Sequence, residues 1–317
     1  MLKQLMNARS WLIAGVFTLI ASYATSALAV DWNGVASKKV VLFYPGEASW
    51  EWVLIPSTHE GAMNFRKGKN CRVCHQGEEK KMGDDIVAGK YPSLESGPVA
   101  GKPGSLTANI SFAHDADTLY VKLQWKDLGA KAKGEGKHQE VVTMMFANEA
   151  VKEAARAGCW GTCHNDLKSM PDSLDLTKYL PESRTKLTAK GGGKNYKSAD
   201  ELKALFDKGY YMEFWQAELD SGKPAIAEDG YILKDFHENA TPVVQAEGSL
   251  KDGVWTVILS RKFKVDGEGR HNLEAGKVYP VGFAIHDNYA EHRHHYVSFE
   301  HTFAIDSGDA DFVAVQK

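Results

Sequence analysis

The stretch Ser105-Leu-Thr-Ala-Asn-Ile-Ser-Phe-Ala-His-Asp-Ala-Asp-Thr-Leu-Tyr-Val-Lys-Leu-Gln-Trp125 decides the fold. Leu106, Ala108, Ile110 and Phe112 alternate onto one face, the polar turn His114-Asp-Ala-Asp117 follows, and Leu119, Val121, Leu123 and Trp125 resume the alternation. Period-two patterning on both sides of a turn reads as a β-hairpin with one buried face. Further strands are expected at 141–146, 211–219, 254–260, 278–285 and 295–305, so residues 105–317 read as one mainly β domain. Trp125, Phe214, Trp215 and Trp255 sit on these strands and are expected in its core rather than on a sugar platform. One interval departs from the pattern. Residues 148–157 are alanine-rich, and Ser198-Ala-Asp-Glu201 opens like a capped helix, which predicts a helical insertion over about 147–208. Glycine-rich turns mark loops at 131–136 and 191–193.

Upstream, residues 30–104 carry only short apolar runs, Val40-Val-Leu-Phe-Tyr44 and Trp50-Glu-Trp-Val-Leu-Ile55, among many glycines and lysines. This segment is expected to be loop-rich, with too little apolar mass for a core of its own. The first 29 residues read as an export signal: Lys3 and Arg9, an apolar run over 11–20, then Ala27-Leu28-Ala29 before a cut at Val30. The run is shorter than the roughly 20 residues that span a bilayer, so no stable membrane insertion is expected. The export signal points to the periplasm. The formal net charge of −3 gives no sign of nucleic-acid binding.

All four cysteines fall in two short runs, Cys71-Arg-Val-Cys74-His75 and Cys159-Trp-Gly-Thr-Cys163-His164. C-x-x-C-H is the attachment signature of c-type haem: two thiols add to the porphyrin vinyl groups, and the adjacent histidine lies under the iron. The second run has one extra residue, with Gly161 to bend it. Two disulfides, a four-ligand zinc site or a dithiol pair are the competing readings, but disulfides do not require a histidine after each pair. The sequence therefore predicts two c-type haems, held through Cys71, Cys74, Cys159 and Cys163, with His75 and His164 as proximal ligands. A bound haem would supply the apolar mass that 30–104 lacks. For the first distal position, His59 in Ser57-Thr-His-Glu-Gly61 is the leading candidate, with Met82 as alternative and Met63 weaker. For the second, five histidines fall between 286 and 301, and Met144 and Met145 lie on a preceding strand; Met170 is too near His164 to cross the ring. A separate zinc or copper site in that histidine tract is a further alternative.

Several segments, taken in order, resemble the haem-binding subunit of ethylbenzene and dimethylsulfide dehydrogenases, a domain shared with cytochromes of the c-552 type. They are Leu119-Tyr-Val-Lys-Leu-Gln-Trp-Lys-Asp127, Phe214-Trp-Gln-Ala217, Asp252-Gly-Val-Trp-Thr-Val-Ile-Leu-Ser-Arg261 and Val281-Gly-Phe-Ala-Ile-His-Asp287. The resemblance implies an immunoglobulin-like β-sandwich, related in shape to family-nine carbohydrate-binding modules, that carries a haem and passes electrons. The dehydrogenase subunits hold a b-type haem between methionine and lysine, whereas residues 159–164 here imply covalent attachment and histidine ligation. Laid over the last strand, the family's liganding lysine falls near His295, with His294 next and His286 third.

Together these features predict a periplasmic dihaem cytochrome relaying electrons in a respiratory chain. Its partners would be a quinol-oxidising membrane cytochrome or soluble donor and a terminal reductase or dehydrogenase, a molybdoenzyme among them. The alternative is a haem enzyme or sensor with one open iron. Gly191-Gly-Gly-Lys194 and Gly267-Glu-Gly269 lack the spacing of nucleotide-binding loops. The basic residues at 67–69 and 80–81 are candidates for steering a redox partner.

Overall fold

The computed structural model describes residues 30–129, 136–158, 161, 180–186, 196–290 and 294–317. In chain order these form β1 (Lys38–Phe43), α1 (Trp50–Val53), α2 (Ala62–Arg66), α3 (Arg72–His75), α4 (Glu79–Val87), β2 (Ser105–His114), β3 (Thr118–Lys126) and β4 (Glu140–Phe146). There follow α5 (Ala154–Ala157), α6 (Ala199–Asp207), β5 (Met212–Leu219), β6 (Ile226–Ile232), β7 (Phe236–Glu238), β8 (Gln245–Lys251) and β9 (Val254–Lys262). The last strands are β10 (Val278–His286), β11 (Tyr296–Val297), β12 (His301–Ile305) and β13 (Phe312–Gln316).

The protein is mainly β, as the alternation predicts. The hairpin of β2 and β3 pairs Ala108 with Trp125 and His114 with Leu119. Two wings face each other across the core. One runs β10-β4-β5-β6-β7 and the other β2-β3-β9-β8, with β5 packed on β8 and β9. They are joined along one side twice: β11 and β1 connect β10 to β2 at one end, and β12 and β13 connect them at the other. Gly248 shows how closely the wings approach, because a Cβ there would stand 2.5 Å from Leu219 Cδ2.

Trp125, Phe214, Trp215 and Trp255 are all at most 2% exposed, which places them in the core as expected. Glu213 and Arg261 are buried with them. The Arg261 guanidinium donates to Glu213 Oε1 at 2.5 Å and to the His271 carbonyl at 2.7 Å, while Trp215 Nε1 also donates to Glu213. Such a pair is tolerated in an apolar interior only because each partner is bonded several times.

Two expectations are revised. The run at 40–44 is not a loop fragment: β1 lies between β11 and β2, with six residues in register on β2, and Leu42 and Phe43 are fully or nearly fully buried. Its alternation is too short to be diagnostic, and its partners are the later strand β2 and, far along the chain, β11. The strand expected over 295–305 is two strands. Ala284 pairs with Val297 but Val281 pairs with His301, so four residues oppose three and one extra residue bulges out. Ser298 fills the gap in the ladder: its N–H donates to the Phe283 carbonyl and its Oγ accepts from the Phe283 N–H at 3.0 Å. The α6 helix has the expected capping box, with Ser198 Oγ accepting from the Glu201 N–H and Glu201 Oε2 from the Ser198 N–H. Among the described residues, no helix is long and apolar enough to cross a membrane.

Candidate haem site and family membership

Cys71 caps α3, a single turn that places Cys71, Cys74 and His75 on one side of the chain, because residues three and four apart are neighbours on a helix. Asn70 Oδ1 starts the turn by accepting the Val73 N–H at 3.0 Å. The Cys71 N–H donates to the Arg156 carbonyl at 2.9 Å, which ties the turn to α5. The Arg156 side chain lies over the Phe65 ring at 4.2 Å and donates to the Phe65 carbonyl. Both cysteines are free thiols, Cys71 buried and Cys74 exposed. Burial raises the Cys71 thiol well above its ordinary pKa; the Glu300 carboxylate adds to this and Arg156 opposes it.

The loop between α1 and α2 brings His59 over this turn. The His59 and His75 rings are 6.0 Å apart between centroids. Two imidazoles sharing one metal through bonds of about 2 Å place their centroids roughly 6 Å apart, so the separation fits an iron between them. The outer nitrogens fit as well. His59 Nδ1 is 2.9 Å from the Val53 carbonyl and His75 Nδ1 is 3.1 Å from Glu78 Oε2. Each acceptor takes the Nδ1 proton and leaves Nε2 as the basic nitrogen, the arrangement that orients a ligating histidine. Burial, reinforced by the neighbouring His75, pushes His59 below the ordinary histidine pKa, although the Val53 carbonyl opposes it. A neutral imidazole is the ligating form.

Of the residues expected at the first site, Cys71, Cys74, His75 and His59 come together. Met82 lies on α4, half-buried against the main apolar cluster, and Met63 is 53% exposed. Sequence reading missed Glu78, three residues past His75, and the two side chains that the bulge aims at the site. The Phe299 ring stacks on His75 at 6.0 Å, and Glu300 Oε1 accepts the Arg72 N–H at 3.1 Å. The only sequence signal for them was a strand one residue too long for its partner.

Cys159, Cys163 and His164 lie outside the described residues, as does Met170. Gly158 is described: it adopts φ 69°, and a Cβ there would stand 3.0 Å from the Glu300 nitrogen and 3.1 Å from the Phe299 carbonyl carbon. Among the histidines expected at the second site, His286 and His295 have ring centroids 4.5 Å apart. His294 lies parallel to Tyr44 at 6.2 Å, with Nδ1 3.5 Å from the Tyr44 hydroxyl. Lys102 and Glu140 hold the chain beside these histidines. Half-buried Lys102 donates to Asp287 at 3.0 Å and to the His294 carbonyl at 3.2 Å, and Glu140 Oε1 accepts the Asn288 N–H at 3.1 Å. Burial lowers Lys102 from its usual value and pushes Glu140 up to about 8. Met144 and Met145 are buried in the two apolar clusters. No group of three or more metal-binding side chains occurs among the described residues.

Comparison with known proteins agrees with the resemblance read from the segments. Cytochrome c-552 of Stutzerimonas stutzeri is 34% identical over 289 residues, covering 90% of each chain. Cytochrome c-551 of Rhodocyclus tenuis is 29% identical over 292 residues, 91% of this chain and 100% of its own. Among solved structures, a carbohydrate-binding protein from Bacteroides uniformis covers 69% of this chain and 82% of its own at 7% identity and a TM-score of 0.31, too loose to inform the site. The family described as ethylbenzene dehydrogenase matches residues 67–298. The chain belongs to the ethylbenzene dehydrogenase family and is a relative of cytochrome c-552.

Proposed function

We propose that this protein is a periplasmic dihaem c-type cytochrome that relays electrons between redox partners, with His59 and His75 as the axial pair of the haem held by Cys71 and Cys74. The observation that carries the reading is the pair of facing imidazoles, 6.0 Å apart, each with Nδ1 against an acceptor. The haem iron supplies a one-electron couple when bound. The chain's own residues do the rest. His59 and His75 would hold the iron from both sides, which would leave no position for substrate and favour transfer over catalysis. Phe299 covers His75, and Trp52 lies 5.6 Å from His59, so both ligands are shielded by aromatic rings. The names of the two cytochrome relatives support the same reading.

The second haem is assigned to Cys159, Cys163 and His164, with His295 as distal ligand and His294 or His286 behind it. It would be a close neighbour of the first. Cys159 follows by three residues the Arg156 whose carbonyl holds Cys71, and His295 is separated from Phe299 by a chain span of at most about 14 Å. Two haems in one chain would serve as a short wire between partners. The partners we assign are a quinol-oxidising cytochrome or soluble donor on one side and a terminal reductase or dehydrogenase on the other. Intact mass and a pyridine haemochrome spectrum of one sample test the reading. Two covalent haems on a chain beginning at Val30 are expected; a single haem would remove the second site. Carbon monoxide should leave the reduced protein unchanged, and a spectral shift would favour the open-iron enzyme or sensor.

A further inference from the structure

Glu300 is 4% exposed, and its Oε2 has no hydrogen-bond partner among the described residues. It lines a cavity of about 260 Å³ with Asn70, Arg72, His301 and Asp311, and exposed Val73 and Gln76 lie at the rim. Its other oxygen holds the backbone of the attachment turn through the Arg72 N–H, and the residue before it packs on His75. The bulge in the last strands is what aims both side chains this way. A buried carboxylate oxygen that is unbonded, on a residue lining a cavity beside the attachment turn, is suited to carry a proton.

We propose that Glu300 is the proton-linked partner of the haem at Cys71 and Cys74. This rests on the dihaem reading above. With haem bound, one electron delivered by a partner protein would add one negative charge to the site. The Glu300 carboxylate then takes one proton from water through the cavity, forming the O–H bond at Oε2, and returns it when the electron leaves. The surrounding charges leave this role to Glu300. From α3, the Arg72 guanidinium is engaged by Asp311, at 2.7 Å and 3.2 Å, and it reaches Glu300 only through the backbone carbonyl. From β1, Lys38 is taken by the same aspartate. From α5, Arg156 faces Phe65 and Trp50. Asp311 is held far below the carboxylate range despite its burial and stays charged, while burial lowers His301 beside it and the hydrogen bond to Asp311 opposes that. Burial raises Glu300 to about 7, although the Arg72 N–H opposes it. A unit charge added about 10 Å away, at an effective dielectric near 20, changes a proton affinity roughly tenfold.

The test is potentiometric titration of the holoprotein from pH 5.5 to 9, with the haem count of each sample fixed by its haemochrome spectrum. The first haem's wave is identified as the one that moves in His59→Met. In the wild type its potential should fall with rising pH by about tenfold in equilibrium constant, about 59 mV for one electron, centred near pH 7. In Glu300→Gln the curve should be flat with haem content and visible bands unchanged. An unaltered pH dependence in Glu300→Gln would overturn the proposal. Redox-difference infrared spectra of the wild type should show a protonated carboxyl band appearing on reduction. The absence of that band would overturn it also, whether or not the variant folds. A haem count without the Cys71 site would refute the underlying reading instead, and is seen before any titration.

Discussion

Replacing Gly61 with alanine should loosen the His59 ligand without touching it. Gly61 precedes α2 with φ −70° and ψ −6°, a conformation alanine adopts freely, so the backbone pays nothing. The obstruction is local. A Cβ at this position would stand 3.0 Å from both Cε1 and Nε2 of His59, and carbon contacts are comfortable only from about 3.5 Å. The ring must retreat by about 0.5 Å or more, against a metal–nitrogen bond of only about 2 Å. The same motion stretches the 2.9 Å contact between His59 Nδ1 and the Val53 carbonyl toward about 3.4 Å, where a hydrogen bond is weak. Visible and electron paramagnetic resonance spectra, with and without carbon monoxide, read the outcome. Gly61→Ala should show a high-spin fraction and bind carbon monoxide when reduced. His59→Ala should do so completely and Met82→Ala not at all. If Gly61→Ala and His59→Ala both stay low-spin and closed to carbon monoxide, His59 is not the ligand.

Cys71→Ala with Cys74→Ala should lower the intact mass by one haem, and Cys159→Ala with Cys163→Ala by the other, as mass spectrometry would show. Arg261→Met should cost about 3–5 kcal/mol in urea unfolding by stranding Glu213 in the core, and adding Glu213→Leu should restore most of it. Glu140 is raised to about 8 by burial, so the folded state holds its proton where the unfolded state has lost it. Stability should therefore fall as pH rises from about 4.5 to about 8, by up to about 5 kcal/mol on this residue. Glu140→Gln should flatten that fall, and equal slopes in wild type and variant would show that Glu140 is not its source.

The hairpin at 105–126 was legible because one face of each strand is apolar and the other polar over a whole strand length. The first motif could be proposed because the attachment signature, two cysteines and a histidine, consists of neighbours in sequence. His59 was preferred to Met82 on loop length alone, since which of two nearby segments folds back over the turn depends on contacts made elsewhere in the chain. Residues 40–44 were misread because β1 draws its partners from positions about 60 and 250 residues away. Phe299 and Glu300 were invisible for a different reason: a one-residue bulge redirects side chains, and alternation carries no mark of it beyond a strand that is slightly too long. β8 escaped because an edge strand such as Gln245–Lys251 alternates exposed and half-exposed residues, β7 because it is three exposed residues, and β6 because its burial does not alternate.

The position of β1 also bears on the order in which the protein matures. Because β1 closes between β2 and the late strand β11, the sheet cannot be completed until nearly the whole chain is available, and contacts of such long range form slowly. The attachment turn lies between β1 and β2, and Cys71 ends up 7% exposed beneath Glu300 and Arg156. A thiol that must meet a large planar reactant is best reached before that closure. Residues 296–316 would then act as a final latch, with Phe299, Glu300 and Asp311 settling onto the turn once it carries its load.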